Sequence, residues 1–273
     1  MPSYRVELHS HSKGDPVDTY LTHNLIEHID RAKEVGLNAI AITWHRKVCS
    51  DPKAYAYARE RGILLIPGME ADVDNRHVVI LNLADGDLPG DPTWAQIRAL
   101  RARKPKVFVL APHPFYPHPS CLGSTINDHV DAIDAIEWCM LHVNWLPSRI
   151  NPNLRAARWA KQHGKPLVAC SDAHSLNAIG KNASTVEADE FTIDSIFAGI
   201  RAGRVSFHRR SLEFGPLVYS TGRAMSSQPR HIGRWVKARF RSRVVQGSLS
   251  SHSASNEAKA LPQGALLHRG SKS

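Results

Sequence analysis

Apolar residues recur along the first three quarters of the chain in short runs separated by helix-length amphipathic segments. Tyr4–Leu8, Ala39–Ile42, Ile63–Ile66, His77–Leu83, Val107–Leu110, Ala132–Ile136, Leu167–Cys170 and Val205–Phe207 read as strands. Ala39–Ile42 has no polar position, as in a strand covered on both faces. Between the strands, Leu25, Ile26, Ile29, Ala32 and Gly36 mark one helical face, with Thr22 as its expected cap. Ser50-Asp51-Pro52 opens a second helix, with proline tolerated in the first turn. Thr93–Arg103, Leu154–His163 and Thr192–Arg201 predict three more, and Pro67-Gly68 predicts the end of the third strand. Strand–helix alternation over roughly 210 residues predicts an α/β fold with a mostly parallel sheet, as a barrel or a doubly wound layer.

After Gly215 the texture changes, which predicts a domain over residues 1–215 and an extension over 216–273. Charge sharpens that boundary. The 273 residues carry a net charge of +10, yet 14 of the 35 Lys and Arg lie in 201–273 beside only Glu213 and Glu257. Residues 1–200 are therefore close to neutral, and the basic character belongs to the last quarter. Six cations and Trp235 and Phe240 interleave in residues 230–245, a pattern expected of a short basic amphipathic helix. It predicts weak contact with nucleic acid or an anionic membrane surface, without base readout. Residues 246–273, rich in Ser and Gly, predict disorder. Cys49, Cys121, Cys139 and Cys170 form no CxxC pair, which excludes a zinc ribbon and a disulfide framework. No apolar run spans a bilayer and no signal-peptide core precedes Arg5, so a cytoplasmic location is expected.

Histidine, 16 in 273, is the informative surplus. His9 and His11 follow the first predicted strand, and a period of two puts both imidazoles on one face. His45 follows the second strand, Glu70 the third, His113 the fifth, and Asp172 and His174 the seventh. In a parallel α/β fold the C-terminal ends of strands meet on one rim. Each residue taken singly fits a loop histidine, turn chemistry or a helix cap. Five strand ends delivering imidazole and carboxylate together favour a metal cluster, since packed like charges are costly without a cation.

Glu7-Leu8-His9-Ser10-His11-Ser12, Thr43-Trp44-His45, Pro67-Gly68-Met69-Glu70, Pro112-His113-Pro114 and Ser171-Asp172-Ala173-His174 resemble, in order, the motifs of the PHP (polymerase and histidinol phosphatase) superfamily of metal-dependent phosphoesterases. The resemblance spans residues 4–210. It implies a distorted seven-stranded β/α barrel and two or three divalent ions, with Zn, Mn and Fe all open. It implies that His9, His11, Glu70 and Asp172 hold one ion. Glu70 would bridge to a second, held also by His113 and by His142, with Cys139 as the rival. His45 and His174 would hold a third with a carboxylate of the first loop, Asp15 before Asp18. Two departures stand out: Trp44 replaces the family's usual acid before His45, and the first-loop Asp falls one residue early.

The implied reaction is hydrolysis of a phosphate ester of a small metabolite or nucleotide by metal-activated hydroxide near Glu70, with Asp172 in the cluster and His174 or His45 protonating the leaving group. Arg46 and Lys47, next to His45, are the expected phosphate contacts. Arg76 and His77 are expected on the opposite side of the sheet, with His77 structural or supporting. His118 and Arg149 are expected in overhanging loops. No GxSxG, Walker loop or GxGxxG occurs, which weakens serine-hydrolase, NTPase and dinucleotide readings. A non-catalytic PHP module docking nucleic acid or protein through the basic tail is the alternative, and hydrolysis of a non-phosphate ester or amide a third.

Overall fold

Polar side chains at the strand ends, against apolar ones within the strands, give the sheet one dry end and one ionisable rim. The computed structural model describes residues 1–140 and 146–208. His142, the 215/216 boundary and the basic stretch 230–245 fall outside these. Among the described residues, nine strands form one sheet: β1 (Ser3–Glu7), β2 (Ala39–Ile42), β3 (Leu64–Val73), β4 (Arg76–Leu81), β5 (Phe108–Ala111), β6 (Ala135–Cys139), β7 (Leu167–Cys170), β8 (Ser184–Glu187) and β9 (Val205–Ser206). They run in the order β7-β6-β5-β4-β3-β2-β1-β8-β9. Within the same described residues, five α-helices pack outside or beneath: α1 (Leu25–Glu34), α2 (Pro52–Glu60), α3 (Trp94–Arg103), α4 (Pro152–His163) and α5 (Ile193–Arg201).

The first seven strands are consecutive staves of a nearly closed barrel. At the rim, β1 and β7 meet through a bridge between Ser10 and Ala173, with His11 N–H donating to the Ala173 carbonyl at 2.9 Å. Deeper in the seam, side chains replace the backbone ladder. Ser184 Oγ accepts from Ala169 N–H at 2.7 Å, and Asn182 Nδ2 donates to the Cys170 and Trp138 carbonyls at 2.8 Å. Both residues are buried, so these hydrogen bonds satisfy groups that water cannot reach.

The expectation of a mostly parallel sheet needs correction. β1–β2, β2–β3, β5–β6 and β6–β7 are parallel, but β3–β4, β4–β5, β1–β8 and β8–β9 are antiparallel. β3 does not stop at Pro67-Gly68. It continues to Val73 and turns back through Asp74 and Asn75, both at positive φ, as a two-residue hairpin demands. Pro67 offers only its carbonyl, which accepts from Asn82 N–H at 2.7 Å. Gly68 is required by contact: a Cβ there would stand 2.5 Å from Leu81 Cδ2 and 2.9 Å from the Ile80 carbonyl. The α1 cap is Asn24 rather than Thr22, in a capping box with Glu27. β8 carries no apolar run, so the pattern did not mark it.

Inside the barrel, Ala39, Ala41, Ile66, Val79, Leu81, Phe108, Leu110, Ala135, Val168 and Cys170 form one apolar cluster. α5 closes its floor with Ile196, Phe197 and Ile200, and Phe197 stacks on Phe108 with ring centroids 4.5 Å apart. Two outer clusters lie under α1 and α2 and under α3 and α4. Along the inner face the alternation then turns polar: β3 passes from Ile66 to Glu70 and Asp72, and antiparallel β4 passes upward from Leu81 and Val79 to His77.

His28 of α1 is fully buried, and neither ring nitrogen has a hydrogen-bond partner. Burial, with help from His23 and His11, pushes its pKa down to about 3. Between about pH 6.5 and 3 the unfolded chain therefore binds a proton that the native chain refuses. Its contribution is present above pH 6.5 and is lost as pH falls, at about 1.4 kcal/mol per unit. A His28→Leu variant, unfolded in denaturant beside wild type with metals stripped from both, should show a flatter loss of stability between pH 6.5 and 4. Parallel slopes would exclude His28 as the source.

Candidate metal centre

His9, His11, His45, His113, Asp172 and His174 sit just beyond strand ends, Glu70 lies within β3, and main-chain hydrogen bonds hold these segments together. Thr43 N–H donates to the Ser10 carbonyl at 2.9 Å, Arg46 N–H to the Glu70 carbonyl at 2.8 Å, and Glu70 N–H to the Trp44 carbonyl at 3.1 Å. Arg46, His113 and Asp172 all have positive φ (60°, 28° and 47°), a strain of order 1–3 kcal/mol each that persists where surroundings over-determine the backbone.

His9 Nε2 and His11 Nε2 lie 3.2 Å apart, and each is 3.3 Å from both Glu70 Oε2 and Asp172 Oδ1. Five of the six distances among these four donor atoms are thus 3.2–3.3 Å, and all four atoms lie within 4.8 Å of one another, close enough to share one ion at metal–ligand lengths of about 2.0–2.2 Å. Asp172 Oδ1 is buried without a hydrogen-bond partner. The outer ring nitrogens face carboxylates: His9 Nδ1 is 2.9 Å from Glu137 Oε2, and His11 Nδ1 is 2.9 Å from Asp15 Oδ2. Carboxylates only accept, so both Nδ1 atoms carry the proton and neutral rings turn lone pairs inward. Two inward lone pairs beside two carboxylate oxygens fit a cation and little else.

Electrostatics agree. Burial opposes charge on His9, but Asp172, Glu70 and Glu137 outweigh it and lift the ring to about 10. His11 is raised likewise, against its burial, by Asp15, Asp172 and Glu70. Glu70 and Asp172 are held well below the usual carboxylate range by the imidazoles, again against burial. Protons are what such a pocket gathers without a cation, and metal binding would release them. Glu7, fully buried, is pushed up to about 8 by desolvation, although Ser171 N–H donates to its Oε1 at 2.9 Å.

Glu70 is the centre of the cluster. Its Oε2 faces His9, His11 and His45 Nε2, the last at 3.1 Å. Its Oε1 faces His77 Nδ1 at 2.7 Å and His113 Nε2 at 3.3 Å. The two oxygens thus look toward different sets of imidazoles, the disposition of a bridging carboxylate. Three sets of donor atoms lie within 4.8 Å of one another: His9, His11, Glu70 and Asp172; His11, Asp15, Asp18 and His45; and His45, Glu70 and His77.

Asp15 is heavily engaged. Its Oδ2 faces His11 Nδ1 and His45 Nδ1 and accepts from His45 N–H, while its Oδ1 accepts from Val17 and Asp18 N–H. It anchors the outer nitrogens of two rings. Asp18 Oδ2 instead meets His174 Nε2 at 2.7 Å, and His174 Nδ1 meets the Asp172 carbonyl at 2.8 Å. Trp44, where an acid was expected, packs its ring where a Gly14 Cβ would come within 2.7 Å, and its Nε1–H donates to Ser12 Oγ at 2.9 Å. It walls in the loop that presents Asp15 and Asp18.

The structure brings His9, His11, Asp15, His45, Glu70, His113, Asp172 and His174 to one rim. Cys139 is buried at the end of β6, paired in register with Cys170, and its thiol meets the Tyr116 hydroxyl. The Arg46 guanidinium is turned to Asp91 at 3.1 Å, and Lys47 Nζ lies 5.6 Å over the Trp44 ring. His118 is tied to Ser120 Oγ at 2.6 Å, and Arg149 is exposed. His77 and Arg76 correct the expectation most sharply. β4 runs opposite to β3, so its start lies at the rim, and His77 joins the cluster. Glu137 was also overlooked as an anchor. Glu137→Gln should weaken metal binding at the His9–His11 set by about 10–100-fold, measured by competition with a chromophoric chelator. Unchanged affinity would mean that Glu137 does not orient His9.

The barrel carries on its rim clusters of buried imidazoles and carboxylates that could hold metal ions. Residues 7–135 match the PHP domain model and residues 151–205 the PHP-associated model. The chain belongs to the PHP superfamily. It is 44% identical over 94 residues to a DNA polymerase III PolC-type of Thermotoga maritima, across 34% of this chain and 7% of that protein. The PolC-type enzyme of Bacillus subtilis is 41% identical over 81 residues, 29% of this chain and 6% of that protein. The chain thus matches only a small part of these relatives. Among solved structures, a two-domain protein from Bacteroides vulgatus, described as containing a predicted PHP-like metal-dependent phosphoesterase, has a TM-score of 0.59 at 18% identity, covering 76% of this chain and 65% of that one. PsfC from Pseudomonas syringae has a TM-score of 0.55 at 17% identity, over 83% and 99%. These show the shared fold. No helix among the described residues is long and apolar enough to cross a membrane.

Proposed function

We propose that this protein hydrolyses phosphate esters of a small metabolite or nucleotide at the rim cluster. The observation that carries the reading is the four-donor set His9, His11, Glu70 and Asp172, with each imidazole anchored behind by a carboxylate. Glu70 would be shared with a second ion held by His113, and His142 or Cys139 would complete that set. His45 and His174, with Asp18 or Asp15, would hold a third. The mixed N and O donors suit Zn, Mn or Fe. Divalent ions bound there supply hydroxide at neutral pH and offset phosphoryl charge. Asp172, aimed at the His9–His11 pair, fixes where that chemistry occurs. His174, the most exposed imidazole of the cluster and held at Nε2 by Asp18, is placed to give a proton to the leaving oxygen. Lys47 is the rim cation proposed for the phosphate, and Arg46 would join it on leaving Asp91.

The test is turnover of a panel of phosphate mono- and diesters by metal-loaded wild type and Asp172→Asn, with metal content measured on the same samples. Wild type should turn over at least one ester class, and the variant should lose both an ion and the turnover. A fully loaded protein inert to the whole panel, or a variant that keeps its activity, would refute the reading.

A further inference from the structure

The groups behind the rim imidazoles are not all alike. The outer nitrogens of His9, His11 and His45 face carboxylates, Glu137 for the first and Asp15 for the other two, and His174 Nδ1 faces the Asp172 carbonyl. Such oxygens only accept, so each of those nitrogens carries the proton. His113 is backed by sulfur instead. Its Nδ1 lies 3.3 Å from the Sγ of buried Cys121, and its Nε2 faces Glu70 Oε1 at 3.3 Å.

One loop builds this contact. Residues 112–121 follow β5 and include Pro112, Pro114, Pro117 and Pro119, which restrict the shapes the segment can take. The loop folds on itself. Tyr116 N–H donates to the His113 carbonyl at 3.3 Å, His118 N–H to that of Tyr116 at 2.8 Å, and Cys121 N–H to that of His118 at 3.0 Å. Gly123 N–H donates to the Pro114 carbonyl at 2.7 Å and closes the loop. β4 clamps the far end: His77 N–H donates to the Ser120 carbonyl at 2.7 Å, and the Arg76 guanidinium donates to the Cys121 carbonyl. The thiol is thus returned to a ring eight positions earlier and fixed against it.

A thiol, unlike a carboxylate, is both a weak donor and a weak acceptor. It can therefore support either neutral tautomer of His113. With Nδ1–H donating to sulfur, Nε2 turns its lone pair inward, as a metal requires. With S–H donating to Nδ1, Nε2–H donates to Glu70 Oε1, which suits the pocket before an ion enters. His9 and His11, backed by oxygen, have no such second arrangement.

We propose that Cys121 is a positioning residue for His113, and that its two-way hydrogen bonding makes the ion shared by Glu70 and His113 the exchangeable one, held less tightly than the ion of His9 and His11. This rests on the reading of the rim as a metal centre and adds to it which ion comes and goes. Partners behind metal-bound imidazoles raise ligand basicity, and a thiol does so less than a carboxylate.

Zn(II) affinity and release would be measured by competition with a chromophoric chelator, with circular dichroism to confirm folding. The proteins are wild type, Cys121→Ala, Cys121→Ser, Cys121→Asp and His113→Ala. Wild type should release zinc in a looser and a tighter phase. Cys121→Ala should weaken the looser phase by about 10–100-fold and leave the tighter one unchanged. Cys121→Ser keeps a group that donates and accepts, and should restore most of that loss. Cys121→Asp supplies an acceptor only, and should tighten the looser phase and slow it. Wild-type affinities in Cys121→Ala would overturn the positioning role, and so would a Cys121→Ser no better than Cys121→Ala, which would reduce Cys121 to packing. A folded Cys121→Asp that releases zinc as fast as wild type would overturn the exchange role. His113→Ala decides that role even if Cys121→Asp does not fold: it should abolish the looser phase, and loss of the tighter phase instead, or a single phase in wild type, would refute the assignment. A wild type that binds no zinc would sink the reading of the rim itself, before any variant is compared.

Discussion

Glu70→Gln should reduce phosphoesterase turnover by about two to three orders of magnitude and lower metal content by more than any other single substitution at the rim. The reason is the number of groups that converge on this one carboxylate. Its two oxygens face five imidazoles and divide them between Oε2 and Oε1. An amide removes the negative charge, leaves one weak acceptor, and turns an N–H toward rings whose inward nitrogens need a cation. The backbone need not move, because Glu70 N–H and its carbonyl are tied to Trp44 and Arg46. Metal content and steady-state rates of wild type and variant, measured after identical loading, check this. A variant that kept its ions and lost only rate would place Glu70 in proton transfer rather than in holding metal.

Stripping metal with a chelator should lower the thermal midpoint by about 10 °C or more. An ion present at a thousandfold above its Kd stabilises the native chain by about 4 kcal/mol per site, provided the unfolded chain does not bind it. For a domain of roughly 200 residues each kcal/mol moves the midpoint by about 2–4 °C. Removing the ions also leaves the carboxylates of Glu70 and Asp172 facing each other and the inward lone pairs of His9 and His11, a repulsion that proton uptake by the rings relieves. Calorimetry of stripped and reloaded protein measures the difference. Equal midpoints would mean that the rim holds its shape without metal and binds only loosely.

Much of the barrel was legible because its core strands are short apolar runs and its helices carry strong caps. Asp51 and Thr192 cap where expected, and Thr93 heads α3 as a capping box with Gln96. Most of the rim residues, His9, His45, His113 and Asp172 among them, were legible because they follow an apolar run within a few positions. What stayed hidden has one cause in several places: strand direction leaves no mark in composition. Ile63–Ile66 and His77–Leu83 look like two parallel staves, and only Asp74-Asn75 between alternating residues signals a hairpin. Taking β4 as parallel sent His77 to the wrong end of the sheet. Glu137 was visible as a strand residue, but no spacing links it to His9, 128 positions earlier. β8 went unseen because Ser184 and Asn182 serve the seam through polar side chains, where an apolar run was sought.

The bridge between Ser10 and Ala173 has a consequence for how the chain reaches this state. The segments that close the barrel are the same segments that carry His9, His11 and Asp172. An ion gripping His9 and Asp172 therefore acts as a reversible crosslink across a loop of roughly 160 residues, whose closure entropy folding must otherwise meet with packing alone. Site assembly and the locking of the first stave against the seventh would then be one event, with the ion as a rivet between them.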